Sequence, residues 1–290
     1  MTQQINISQI KGRVTRNKIY KGIFILAISL AMLALATLLY RILSQGLGYL
    51  SIDFLKNYPA PYIEEAGIFA GLMGSVFMMC ITAPVSIILG VSTALYLEEY
   101  ATQNRFTRFI QVNVQNLAGI PSIVFGLLGL TLFVYLLAMG YTLIAGALTM
   151  SLLVLPVIVV ASQEAIRSVP KEIREASIAM GATKWQTIWR IVLPASIPGI
   201  ITGAILALSR AIGETAPPLI IVGAAAAIYT IPDSFLSKYT VMPIQIYSWT
   251  ARPQEEWQFV AAAGIIVLLA ILLCMNAVAV WIRNKFQKRY

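Results

Sequence analysis

The sequence predicts an all-α membrane protein with six transmembrane helices. Of its 290 residues, 59% are hydrophobic and 11% are charged, whereas about a quarter of the residues in an ordinary soluble domain are charged. Long apolar runs alternate with short charged segments, and these runs reach the roughly 20 residues that a helix needs to cross a bilayer. The net charge of +9 comes from basic residues that collect beside the apolar runs. This distribution favours a membrane protein over a nucleic-acid-binding one.

Six predicted spans follow a polar, basic tail at residues 1–21. The first span is expected at 22–40, and a polar external segment continues it to residue 66. The other five form a predicted core at 67–282, with spans at about 67–97, 109–137, 142–161, 198–226 and 258–282. A charged stretch at about 162–195 separates the fourth and fifth spans, an amphipathic segment is expected at 227–257, and a second basic tail occupies 283–290.

The basic residues indicate which side of the membrane each segment faces. Six spans place both termini on the same side. The two tails, the loop between the second and third spans and the 162–195 stretch hold sixteen Lys and Arg residues, against Arg41, Lys56, Lys238 and Arg252 in the opposite loops. Because cytoplasmic loops are enriched in Lys and Arg, both termini and the 162–195 stretch are predicted to be cytoplasmic.

Two short helices are predicted within residues 175–194. Gly181 tolerates a positive φ between them, and Thr183 can cap the second helix. On that helix Trp185 and Trp189 are four residues apart and share a face. Such an aromatic face fits either a plain interfacial helix or a docking surface for another protein.

One pair of ionised residues, Arg210 and Glu214, lies inside an apolar span. Four residues apart on a helix, they share a face and can pair. An arginine at the bilayer centre costs about 2.5–3.5 kcal/mol on insertion scales, which favours a substrate route over an ion pair that only locks helix packing. Gly213 and the pair Pro217-Pro218 predict an interruption of the helix at this point.

The guanidinium of this pair indicates an oxyanion as the transported substrate, because it offers forked donors to tetrahedral oxygens. Phosphate, sulfate and molybdate all remain open on this ground. Ser209 and Thr215 adjoin the pair, and Pro121 and Ser122 are expected inside the third span, where a freed carbonyl and a hydroxyl would suit a polar lining. Close helix packing explains such small residues equally well.

No catalytic or metal site is expected on this chain. Histidine is absent, and the two cysteines, Cys80 and Cys274, lack the spacing of a metal site. The sequence also has no glycine-rich loop ending in Gly-Lys-Ser/Thr, which would bind ATP. We therefore expect a transport subunit rather than an enzyme, with no cofactor of its own and with any ATP hydrolysis on another subunit.

The 175–194 stretch resembles the EAA loop of the permease subunits of ABC importers. That pattern is Glu-Ala-Ala, three residues, Gly, nine residues, Ile, one residue and Leu-Pro, with Ser177 here in place of the second Ala. The resemblance implies that the stretch docks onto a cytoplasmic ATPase, and the second helix is expected to end at Pro194. The residues implied in this coupling are Glu175, Ala176, Gly181, Trp185, Trp189, Leu193 and Pro194.

Two further segments resemble the phosphate-specific permeases of bacteria, of the PstA type. They are RAIGETAP at 210–217 and GIPSIVFG at 119–126, and MPIQIYSW at 242–249 is also similar. Pro218 departs from the pattern, since such permeases usually carry Leu there. The resemblance implies a type I ABC-importer permease fold in the bacterial inner membrane and a role in phosphate uptake by alternating access.

The implied partners are a homologous PstC-type permease subunit, two PstB-type ATPase subunits that bind ATP and Mg²⁺, and an extracytoplasmic PstS-type phosphate-binding protein. Two alternatives remain. One is a permease for another oxyanion, such as sulfate or molybdate. The other is a membrane channel or scaffold that does not pump, which would leave the EAA spacing without an explanation.

Overall fold

The computed structural model describes residues 7–102, 104–222 and 230–286, and the chain is helical through most of these ranges. No β-strand occurs in them. The helices are α1 (Ile7–Gly46), α2 (Ile52–Lys56), α3 (Phe69–Leu95), α4 (Arg105–Leu117), α5 (Ser122–Gly129), α6 (Leu143–Arg167), α7 (Lys171–Ala179), α8 (Lys184–Thr187), α9 (Leu193–Ile212), α10 (Ala216–Val222), α11 (Met242–Thr250) and α12 (Glu256–Phe286). Wider π-helical turns extend α3, α5 and α8 over Tyr96–Tyr100, Leu130–Leu136 and Ile188–Val192. The predicted all-α class is confirmed.

Five helices are long and apolar enough to cross a membrane, and a bent pair makes a sixth if its two helices are counted as one span. The five run over Arg16–Tyr49, Phe69–Tyr100, Leu143–Arg167, Lys184–Ile212 and Glu256–Lys285. The region of the predicted third span, at 109–137, is not one continuous helix. Helices α4 and α5 meet there at 105°. Helix α4 carries Gln111, Asn113 and Gln115 among its apolar residues, so the more apolar part of the pair is α5 with its π-helical turn.

The predicted fifth span, at 198–226, is displaced in the structure as far as residue 222, and residues 223–226 lie outside the described ranges. One helix runs from Lys184 to Ile212 and then breaks before α10. Pro194, expected to end the short helix before it, lies in the first turn of α9, and that expectation is wrong. The π-helical turn Ile188–Val192 directly precedes this proline, and such local adjustments let a membrane helix continue past a residue that lacks an N–H group.

Helix α6 is the centre of the bundle and packs against α3 on one side and α9 on the other. Small residues let α9 approach it closely. A Cβ built on Gly203 would lie 2.5 Å from the Cβ of Ala161, and one built on Gly199 would lie 2.7 Å from the Cβ of Ala165. Close approach through small residues is typical of helix pairs in membranes, where van der Waals packing replaces the hydrophobic effect.

Helix α1 is attached to the bundle mainly through α12. Gly46 at its end packs against the backbone of Ala262 and Ala263. In the most apolar 18-residue stretch of α1 no residue is buried, whereas 61% of the corresponding stretch of α6 is buried. The rest of the described chain therefore leaves most side chains along α1 uncovered.

The segment before α12 folds back into the bundle. The amides of Leu143 and Ile144, at the start of α6, donate to the carbonyls of Ser237 and Phe235 at 3.0 Å. Helix α11 follows, and most of its side chains are buried. The part of the predicted 227–257 segment that lies within the described residues is therefore a loop and a largely buried helix rather than an amphipathic surface; residues 227–229 lie outside them.

Candidate functional site

The break after α9 is the first feature of the candidate site. Helix α9 ends at Ile212, where the amide of Gly213 donates to the carbonyl of Arg210 at 3.2 Å and that of Glu214 donates to the carbonyl of Ala211 at 3.1 Å. The predicted interruption is therefore present. The Pro217-Pro218 pair lies in the first turn of α10, where a missing N–H group leaves no hydrogen bond unmade. The prolines thus begin the next helix.

Arg210 and Glu214 form the predicted ion pair at this break. The Nε atom of Arg210 lies 3.5 Å from Oε1 of Glu214. The Arg210 side chain is 73% exposed and that of Glu214 is 18% exposed. The carboxylate is therefore held against the chain, while most of the guanidinium faces outward with donors available for another group.

Ser209 and Thr215 flank this pair in different environments. The Ser209 side chain is buried, although its neighbour Arg210 is exposed, because consecutive residues leave a helix about 100° apart. Its Oγ has no hydrogen-bond partner within the described part of the chain. Thr215 is half-buried in the break itself. Thr215 therefore lies in the break with Glu214, whereas Ser209 faces the bundle interior.

Pro121 and Ser122 lie at the bend between α4 and α5 rather than in the middle of a continuous membrane helix. Pro121 is the residue before α5, which begins at Ser122. Helix α5 packs on α10, where a Cβ built on Gly126 would lie 3.0 Å from the Cα of Pro217. The GIPSIVFG and RAIGETAP segments are thus neighbours. Within the described residues, neither Pro121 nor Ser122 forms a hydrogen bond or ion pair with Arg210 or Glu214.

The coupling stretch is a helix, a sharp turn and a second helix, as predicted. Gly181 adopts a φ of +86°. The Thr183 side chain caps α8 by accepting the Gln186 amide hydrogen, and the Gln186 side chain accepts from the Thr183 amide in return. A hydrogen bond of 2.9 Å between the hydroxyls of Ser177 and Thr187 then joins α7 to α8.

An aromatic and apolar surface projects from this stretch. The rings of Trp185 and Trp189 lie edge to face with centroids 5.3 Å apart, and both side chains are half exposed. Met180, beside the glycine turn, is 88% exposed. Sequence reasoning missed Met180, although a large apolar residue directly before the Gly181 turn could have been expected to project from it. Glu175, Ala176 and Pro194 are also exposed, and Leu193 is half-buried.

Two acidic residues that sequence reasoning left in a plain loop hold this stretch in place. Glu98 and Glu99, in the π-helical turn after α3, pair with Arg167 at the end of α6 and with Arg174 on α7. The pairs join positions about seventy residues apart, so no local pattern could have identified them. Among the described residues, no cluster of three or more His, Cys, Asp or Glu side chains could hold a metal ion.

Comparison with known proteins assigns the family. The family described as "Binding-protein-dependent transport system inner membrane component" matches residues 86–288. The chain belongs to this family of ABC-transporter permeases. The match covers the bent third span, the coupling stretch and the Arg210–Glu214 break, and the resemblance drawn from the EAA spacing is confirmed.

Relatives of this permease align over nearly its whole length. It is 33% identical to the "Probable ABC transporter permease protein YqgI" of Bacillus subtilis, over 96% of this chain and 98% of that protein. It is also 33% identical to the "Phosphate transport system permease protein PstA 1" of Mycobacterium tuberculosis, over 93% and 90% of the two chains. A PstA protein of Haemophilus influenzae is 32% identical over 91% and 92%.

Solved structures confirm the architecture of the permease. A chain of a bacterial alginate ABC transporter superposes with a TM-score of 0.64 at 15% identity, covering 96% of this chain and 99% of that one. A chain of the inward-facing MetNI methionine ABC transporter superposes with a TM-score of 0.62 at 17% identity, covering 75% and 95%. The predicted type I ABC-importer permease fold is therefore correct.

Proposed function

We propose that this permease is one of two membrane subunits of an ATP-driven importer of inorganic phosphate and forms half of its translocation path. The observation that carries the proposal is the Arg210–Glu214 pair. It lies at a break between two apolar helices, with its guanidinium exposed at the surface of the chain.

An exposed guanidinium on an apolar helix requires a polar or protein environment. Leu206, one turn before Arg210 on the same face of α9, is 57% exposed, and Ile123 and Leu127 on α5 are also exposed. Lipid would suit these apolar side chains, but a bare arginine facing lipid costs about 2.5–3.5 kcal/mol. A second permease subunit, with a water-filled path between the two, would satisfy both the apolar surface and the charge.

The geometry of the pair suits transient binding of an oxyanion. A single carboxylate oxygen 3.5 Å from Nε orients the guanidinium and leaves its terminal N–H groups free for phosphate oxygens. The negative charge of Glu214 also weakens anion binding, which release requires. Alternating access would expose Arg210 first to the outside and then to the cytoplasm.

The assignment to phosphate rests on the RAIGETAP and GIPSIVFG segments and on relatives named as phosphate permeases. The Bacillus subtilis relative is named only as a permease, and the superposed structures are from methionine and alginate transporters, so the fold is common to several substrates. A permease for another oxyanion, such as sulfate or molybdate, is the second candidate, because the guanidinium chemistry fits all three anions.

The partners follow from the same proposal. A PstC-type permease would complete the path, and a PstS-type binding protein would deliver phosphate from outside the inner membrane. Two PstB-type ATPase subunits would bind ATP and Mg²⁺ and receive the surface formed by Met180, Trp185 and Trp189. This arrangement requires both termini and the coupling stretch to be cytoplasmic, as the Lys and Arg distribution predicts.

Phosphate uptake into vesicles that contain the full complex tests the proposal. A hydrogen bond to a charged group contributes about 1.5–3 kcal/mol, so Arg210→Ala should lower ATP-dependent phosphate uptake by about tenfold or more. Arg41→Ala is the matched control, since Arg41 is exposed at the end of α1 and far along the chain from the break. Complex assembly and ATP hydrolysis are measured on the same samples.

The outcomes separate the candidate functions. Unchanged uptake in Arg210→Ala would mean that the pair is structural. Competition by excess sulfate or molybdate at the level of unlabelled phosphate would favour the second candidate. Uptake that proceeds without ATP would indicate a channel. A fluorescent protein fused to the carboxyl terminus should fold in the cytoplasm if the proposed orientation is correct.

A further inference from the structure

Three consecutive residues at the end of α3 contact three consecutive elements of the coupling region. They are Glu98, Glu99 and Tyr100, here called the α3 clamp, and they lie in the π-helical turn Tyr96–Tyr100. Consecutive residues of a helical turn point in different directions. The clamp therefore reaches the end of α6, helix α7 and helix α8 at the same time.

Glu98 makes the most directional contact. Its Oε2 accepts from Nε of Arg167 at 2.8 Å, and its Oε1 accepts from Nη2 of Arg167 at 2.6 Å. Oε1 also accepts from the side-chain amide of Gln163 at 2.9 Å. The Glu98 side chain is 13% exposed, and Gln163 is buried. A two-pronged arginine–carboxylate pair fixes orientation as well as distance, so the end of α6 is held in one position on α3.

Glu99 connects α3 to the first coupling helix. Its Oε1 lies 3.0 Å from Nη1 of Arg174, an ion pair with both side chains largely buried. Nη2 of Arg174 donates to the carbonyl of Ile166 at 2.5 Å. One guanidinium therefore links α7 to both α3 and α6. Largely buried charges of this kind are strongly disfavoured when one partner is removed.

Tyr100 contacts the second coupling helix. The Nζ atom of Lys184, the first residue of α8, lies 5.1 Å from the centre of the Tyr100 ring. This separation suits a cation–π interaction. The contact is weaker than the two ion pairs, but it extends the clamp across the glycine turn to the helix that carries the exposed tryptophans.

We propose that Glu98 and Glu99 are positioning residues that transmit movement of the coupling helices to α3. This inference rests on the proposed function, in which an ATPase moves α7 and α8. Because α3 packs along α6 at the centre of the bundle, a rigid connection at its end converts that movement into displacement of the spans. Without the clamp, movement of α7 and α8 would still reach α9, with which α8 is continuous, but it would not pass directly to α3.

The test measures coupling, which a purely stabilising role would leave unchanged. Glu98→Gln and Glu99→Gln complexes are placed in vesicles with the partner permease, the ATPase and the binding protein, and phosphate uptake is divided by ATP hydrolysed. We expect this ratio to fall about tenfold in Glu99→Gln, because that change leaves the largely buried Arg174 without its partner. The fall should be smaller in Glu98→Gln, because the Arg167 side chain is 55% exposed. The ATPase subunits should remain bound and active.

The controls use the same chemistry. Glu164→Gln removes a carboxylate from the exposed face of α6 that has only a charge interaction with Arg167, and it should change the ratio much less than Glu98→Gln. Exchange of the charges in Glu99→Arg with Arg174→Glu keeps an ion pair and should restore coupling relative to Glu99→Gln. Hydrogen exchange over residues 171–187 gives a second readout, and it should accelerate in Glu99→Gln and slow again in the exchanged pair.

Three results would overturn the clamp. The first is an unchanged coupling ratio in both glutamine variants. The second is an exchanged pair that assembles but does not recover. The third is a Glu99→Gln chain with unaltered hydrogen exchange over 171–187. Failure of the phosphate proposal is distinguishable, since the unaltered complex would then hydrolyse ATP without phosphate uptake. The hydrogen-exchange comparison would still show whether Glu99 holds α7 and α8 in place.

Discussion

The contact between α3 and the segment before α11 makes Gly74→Ala an informative substitution. A Cβ built on Gly74 would lie close against the carbonyl oxygen of Thr240, far inside van der Waals contact. The next residue, Ser75, accepts the amide hydrogen of Met242 at 2.9 Å. Tyr239 in the same segment is fully buried. The obstructing atoms are therefore backbone atoms in a packed segment, which cannot move aside as a side chain could.

The magnitude follows from three contributions. Overpacking a well-packed interior costs about 1–3 kcal/mol. Displacement of the segment also removes the Ser75–Met242 hydrogen bond, a loss of about 1 kcal/mol. Alanine in place of glycine in a helix interior recovers roughly 0.5–1 kcal/mol. We expect Gly74→Ala to lower the free energy of unfolding by about 2 kcal/mol.

Equilibrium unfolding of the detergent-solubilised chain measures this change. Gly22→Ala is the matched control, because a Cβ on Gly22 in α1 meets no atom within 4 Å; it should raise the free energy of unfolding by roughly 0.5–1 kcal/mol. If the two variants unfold at the same denaturant concentration, the packing argument is wrong.

Three further predictions concern single groups. Gly181 has a φ of +86°, which costs an L side chain about 1–2 kcal/mol, so Gly181→Ala should accelerate hydrogen exchange in α7 and α8. Thr183→Ala removes the cap of α8, worth about 1 kcal/mol, and should accelerate exchange of the Gln186 amide. Tyr239→Phe removes a buried hydroxyl that has no partner among the described residues and whose pKa is raised by burial. The free energy of unfolding should stay equal or rise by up to about 1 kcal/mol.

Each of these predictions has a distinguishing control. Gly181→Asn should accelerate exchange less than Gly181→Ala, since asparagine tolerates positive φ better; equal effects would contradict the backbone argument. Thr93→Ala removes an exposed hydroxyl that only bonds within its own helix and should leave α8 unchanged. A clear loss of stability in Tyr239→Phe would show that its hydroxyl has a partner after all.

The coupling stretch could be predicted from sequence because its determinants are local. A glycine at the turn, a threonine cap three residues before Gln186 and two tryptophans one turn apart act within a few positions. The continuation past Pro194 could not be predicted, because it depends on a π-helical turn that no residue pattern marks. The bend between α4 and α5 was missed because the mean hydropathy of a segment does not show how its residues are arranged. The polar residues of α4 lie among apolar ones, and their effect is lost in the average.

The Arg210–Glu214 pair was predictable for the same reason, since four residues on a helix bring two side chains together. The exposure of the Arg210 side chain was not predictable, because burial depends on which helices surround α9. The clamp was out of reach for sequence reasoning. Its contacts join positions separated by 65 or more residues, so the two sides meet only once α3 and α6 have packed.

The isolation of α1 has a consequence for how the chain is made. The mean hydropathy of its most apolar 18-residue window is 2.6, and no residue of that window is buried. A helix forms all its backbone hydrogen bonds internally in lipid, so α1 can be stable in the bilayer before the other helices are present. It precedes the other spans in order of synthesis, and it therefore anchors the growing chain to the membrane while α3, α6 and α9, which need one another, are still being translated.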